Sequence, residues 1–161
     1  MRKLIDLFTS RLLMLLVALM VLNVLWQVAS RYLTKTPSSF TDELAGFLLI
    51  WVGMLGAAYA TGQRMHLAID LLPRRSSPAR QRGFNLVVNL LVCLFALAVM
   101  VVGGARLVFI TLTLDQVSSA LGLPLGYVYA IVPVSGLLIA YYSILNLRHN
   151  PYQDQNSDLT N

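Results

Sequence analysis

The chain has 161 residues, 57% of them apolar and only 12% charged, where an ordinary soluble domain carries roughly a quarter charged residues. With a mean hydropathy of +0.70, too few polar residues remain to cover a soluble domain, and most of the chain belongs in lipid. The net charge of +5 does not mark a nucleic-acid binder, because its 12 Lys and Arg are scattered between apolar runs and form no basic face.

A spanning helix takes about 20 apolar residues, and four runs qualify. All four read as helices, because lipid offers no partner to unpaired backbone groups and the runs do not alternate as barrel strands do. The first span covers residues 12–30, between Arg11 and Arg31. Arg2, Lys3 and the triplet Val28-Ala29-Ser30 mimic a signal peptide, but the apolar run outlasts the usual length of about 7–15 residues and is read as retained. The second span covers 44–61, from the acidic pair Asp42–Glu43 to Gln63–Arg64. The segment Met65–Leu72 then alternates apolar and polar residues before Pro73. It either prolongs the second helix or lies as a short amphipathic segment in the interface. The third span covers 84–105, yet apolar residues continue past Gly103-Gly104 and Arg106 to Leu114. Tilt, a bend at the glycines and a helix along the outer surface all remain open there. The fourth span covers 125–147 and stops at Arg148, ahead of a polar tail at 150–161. Residues 1–161 therefore read as one all-α integral membrane domain.

Loop charges orient it. Arg2, Lys3, Arg11, Arg64, Arg74, Arg75, Arg80, Arg82 and Arg148 fall on one side, nine in all, against Arg31, Lys35 and Arg106 on the other. The positive-inside rule puts both termini in the cytoplasm, with the cluster Arg74, Arg75, Arg80 and Arg82 against anionic lipid headgroups.

The spans carry little chemistry. None has an ionisable residue near its middle, where a transport pathway or proton relay would need one. Pro133 is the one span proline, and a kink accounts for it. A haem anchor needs axial histidines inside the bundle, but His66 and His149 sit at cytoplasmic ends, and Cys93 stands alone. His66 and Asp70 are one helical turn apart, a spacing better suited to a local helix-end contact than to catalysis. No enzyme activity and no bound cofactor are expected.

What the spans do carry is packing surface. Gly46, Gly53, Gly56, Ala57 and Ala60 recur at spacings of seven and four on one side of the second helix, which lets another helix approach closely. That neighbour is either a helix of this chain or another subunit. Trp51 lies too deep for a belt residue, so its indole N–H is expected to meet an acceptor at a helix contact. Asn23, Gln27 and Arg31 form one stripe on the first helix, and Asn85 and Asn89 open the third; such amides bond between helices. Ser39-Phe40-Thr41-Asp42-Glu43 precedes the second helix as a capping segment. With Arg31, Tyr32 and Lys35 nearby, it also forms a charged outer surface that a periplasmic partner can read.

Arg31-Tyr32, Thr41-Asp42-Glu43, Trp51, Gly56-Ala57-Ala58 and the run Arg64-Met65-His66-Leu67-Ala68-Ile69-Asp70, taken in order, resemble the small membrane (Q-type) subunit of tripartite ATP-independent periplasmic (TRAP) transporters. The resemblance covers nearly the whole chain. It implies a periplasmic binding protein that delivers an organic acid to two membrane subunits in the bacterial inner membrane. The large multi-span subunit holds sodium and substrate and moves in an elevator-like way. The small subunit braces it and adds docking surface for the binding protein. On this resemblance Gly46, Trp51, Gly53, Gly56, Ala57 and Ala60 would pack on the large subunit, and Arg31, Lys35, Asp42 and Glu43 would face the binding protein. Arg64, His66 and Asp70 are the family motif at a cytoplasmic helix end. Because the chain stops soon after its fourth span, the large subunit is expected as a separate polypeptide. The competing reading is a four-helix membrane anchor for a redox or sensory complex.

Overall fold

The computed structural model describes residues 2–34, 38–63 and 78–148. Lys35, Arg64, His66, Asp70, Arg74 and Arg75, the segment 65–72 and the tail 150–161 lie outside the described residues. Four helices are long and apolar enough to cross a membrane.

The first, α1 (Arg2–Thr34), contains no Gly or Pro and is rich in Leu, which loses little rotamer freedom in a helix. It begins well before residue 12, and its 33 residues run about 50 Å. The second, α2 (Ser39–Gly62), also starts earlier than the hydropathy suggests. The Ser38 hydroxyl accepts a hydrogen bond from the Thr41 N–H at 3.5 Å, so Asp42 and Glu43 stand within the helix, where carboxylates suit the positive end of the dipole.

The third span joins α3 (Pro78–Phe95), a π-helical stretch (Ala96–Gly103) and α4 (Gly104–Thr113). The helix continues past residue 105 to Thr113, with Gly103 and Gly104 both keeping right-handed helical angles. The fourth span is broken into α5 (Leu125–Tyr129) and α6 (Ile131–Arg148). Pro133 explains the break: it lacks an N–H, and its ring crowds the carbonyl four residues back, at Tyr129.

α2 and α6 pack together in the middle, with α1 against α2 and the third span against α6. Two small cores result. Leu16, Leu55 and Ile131 join α1, α2 and α6, while Ala58, Ala96, Ile139 and Ala140 join α2, the π stretch and α6. Burial follows this order: 44% of the most apolar stretch of the fourth span is buried, against 6% for α1. The close approaches are made by glycine. A Cβ at Gly136 would lie 2.7 Å from Met100, and one at Gly104 would lie 2.9 Å from Val132. At Gly62 it would meet the Tyr142 ring at 2.8 Å.

Candidate functional site

Because α2 turns through 3.6 residues, its sequence is divided between two faces. Leu55, Ala58, Thr61 and Gly62 are buried against the rest of the chain. Gly46, Gly53 and Ala57 are exposed, and Gly56 and Ala60 are half-buried beside them. A Cβ built on Gly46, Gly53 or Gly56 meets nothing within 4 Å. Among the described residues, the chain's own helices therefore make no close approach at these three glycines.

Trp51 behaves differently from the small residues near it. Its indole N–H donates to the Val128 carbonyl of α5 at 3.1 Å. The broken fourth span leaves carbonyls without helical donors at this depth, and lipid cannot supply one. Trp51 supports that break from inside the chain, in keeping with its depth in the span. Beside it an apolar groove of about 650 Å³ runs between α1 and α6, lined among others by Phe8, Leu12, Trp51, Leu55 and Val134. Such walls offer a polar solute no ligand.

Where α1 ends and α2 begins, the amide stripe of α1 meets the first turn of α2. Asn23 donates to the Thr41 carbonyl at 2.8 Å, and Gln27 donates to Asp42 Oδ1 at 3.1 Å. Arg31 continues the stripe and is exposed. Asp42 is exposed too, while Glu43 is half-buried. The Glu43 carboxylate reaches the loop after α4, accepting hydrogen bonds from the Ser118 hydroxyl and from the N–H groups of Ala120 at 3.0 Å and Leu121 at 3.3 Å. Asp42 and Glu43, expected in a capping segment ahead of the helix, already belong to α2, and nothing in the sequence signalled this partner, whose donors are mostly backbone.

At the opposite end, Tyr142 donates to Asp6 Oδ1 at 2.6 Å, and Asn146 donates to the Thr61 carbonyl at 3.1 Å. The start of α1 and the ends of α2 and α6 are thus linked. Arg80 and Arg82 fall in the first turns of α3. Among the described residues no group of three or more His, Cys, Asp or Glu is placed to hold a metal ion.

Fold and surfaces together define a four-span helical membrane protein whose main unfilled feature is a helix-packing face. The family model described as tripartite ATP-independent periplasmic transporters, DctQ component, matches residues 20–150, and the chain belongs to this family. It is 27% identical over 134 residues to a Haemophilus influenzae protein named as a TRAP transporter small permease, covering 82% of this chain and 80% of that one. It is 35% identical over 71 residues to the sialic acid TRAP transporter permease SiaT of H. influenzae, and 32% identical over 102 residues to the isethionate TRAP transporter permease DctMQ of Oleidesulfovibrio alaskensis. These matches cover 43% and 63% of this chain but only 12% and 16% of those longer proteins.

Proposed function

We propose that this small permease subunit braces a large transport subunit in the bacterial inner membrane and helps dock the periplasmic substrate-binding protein, within a sodium-coupled transporter for organic acids. The observation that carries the bracing role is the open glycine face of α2. Gly46, Gly53 and Gly56 have room for a close helix neighbour and none among the described residues. The large subunit is the natural neighbour, since two relatives are much longer permeases that match this chain over a small part of their length. Those two are named for sialic acid and isethionate, both organic anions, which supports an acid as solute. Arg31, Asp42 and Lys35 are the outward docking residues on this reading, with the termini in the cytoplasm and Arg74, Arg75, Arg80 and Arg82 at anionic lipid. Sodium belongs to the large subunit, and this chain needs no cofactor.

Purification in mild detergent tests the reading. A large multi-span protein should co-purify one to one, and the reconstituted complex should require both binding protein and a sodium gradient for uptake. A homo-oligomer that transports solute alone would overturn it. Orientation is checked by thiol labelling: Ser77→Cys should react from the cytoplasmic side and Ser119→Cys from the periplasmic side.

A further inference from the structure

Glu43 holds a segment distant in sequence. The loop at 114–124 is folded on itself: Ser118 N–H donates to Leu123 O at 2.9 Å, Gly122 N–H to Ser118 O at 3.0 Å, and Leu125 N–H to Gln116 O at 2.8 Å. Val117 and Pro124 form an isolated antiparallel bridge, and Asp115 and Gly122 take positive φ values of 47° and 65° to close the turns. The Ala120 and Leu121 N–H groups at its tip find no backbone acceptor within this local pattern. They converge, with the Ser118 hydroxyl, on one oxygen of Glu43, and Leu121 N–H shares its hydrogen with Ser118 Oγ at 3.1 Å. Hydrogen bonds to a carboxylate are the strong kind. Asp42, the adjacent residue, meets Gln27 of α1 instead. Two consecutive acids in one helical turn therefore tie together α1, α2 and the loop between the third and fourth spans. The loop's Val117 and Leu123 stay exposed, at 58% and 47%.

We infer that Glu43 is a positioning residue for docking: it fixes the loop at 114–124 to the first turn of α2, so that this loop and the Arg31–Asp42 surface form one rigid platform for the substrate-binding protein. The inference rests on the docking role proposed above. Glu43 acts through the loop, its carboxylate turned to the chain's own donors.

The test uses the complete transporter in proteoliposomes, with hydrogen exchange of the loop and uptake titrated against substrate-loaded binding protein. In Glu43→Ala, exchange at Ala120 and Leu121 should speed up about tenfold or more. The half-saturating concentration of binding protein should rise several-fold, with maximal uptake and complex yield unchanged. Glu43→Gln keeps an acceptor oxygen without the charge and should fall between Glu43→Ala and the native protein. Ser118→Ala removes a donor without altering α2 and should shift both readings the same way, more weakly. Unchanged exchange in Glu43→Ala would overturn the clamp. Faster exchange with an unchanged titration would overturn the link to docking. A raised half-saturation in Glu43→Ala but not in Ser118→Ala would mean that Glu43 touches the binding protein itself, and would also overturn the inference. If uptake by the native complex needs no binding protein, the docking role fails, and the exchange result still judges the clamp.

Discussion

Gly46, Gly53 and Gly56 of α2 and the glycines at contacts with α6, Gly62 at the end of α2 among them, look alike in sequence and do opposite things. Gly62, Gly104 and Gly136 lie where another helix or ring already presses, with no room for a methyl group. Gly46, Gly53 and Gly56 face open space. In lipid, where burial of apolar surface drives little, small residues are how helices gain contact. The first set has been used to assemble this chain. The second set is left open among the described residues, and it is the face that the proposed bracing role gives to the large subunit.

Substitutions on the two sets should separate folding from association. The largest effect is expected at Gly136→Leu, where the new side chain meets Met100, Val101 and the Ala96 carbonyl. About 3 kcal/mol of overpacking should appear as a lower melting temperature of the small subunit and poor yield. Gly53→Leu should leave that melting temperature unchanged and weaken binding to the large subunit by about tenfold or more, since close helix contact is lost; co-purification at graded dilution measures it. A drop in melting temperature with normal assembly would reverse the assignment of the two sets.

Smaller changes sharpen the picture of the middle of the bundle. Trp51→Phe removes the donor to Val128 and should cost about 1 kcal/mol in thermal unfolding, with assembly retained. An assembly defect without loss of stability would return Trp51 to the outward face. Asn23→Leu, which breaks the bond to the Thr41 carbonyl, should cost about 0.6 kcal/mol, measured in the same melts as the smallest of the three shifts.

The spans were legible because an apolar run of membrane length suits a lipid-crossing helix and little else. Their ends were not. α1 reaches back through Asp6 and Thr9, polar residues that hydropathy assigns to water but that pack at the end of α6, Asp6 as the acceptor for Tyr142 and Thr9 as a buried side chain. α2 gains a turn because Ser38 caps it, a local signal that the capping segment did contain, one residue displaced. The amides Asn23 and Gln27 were expected to bond between helices, and they do. Which glycines face inward could not be read, because spacings of four and seven fix a common face and leave its neighbour unspecified. Glu43 shows the same limit: helix position is a local property, whereas its acceptor role depends on a loop 75 positions away.

The length of α1 has a mechanical consequence. Arg11 and Arg31 are twenty positions apart on one uninterrupted helix, about 30 Å along its axis, which matches the thickness of the hydrocarbon layer. With the span at 12–30 centred in the bilayer, each guanidinium would sit at one rim, and sliding the helix either way would drag one of them toward oil, at a cost that reaches about 2.5–3.5 kcal/mol at the centre on insertion scales. α1 is a rod with a stop at each end. On the bracing role proposed above, a subunit that keeps its depth gives the large subunit a fixed wall to move against.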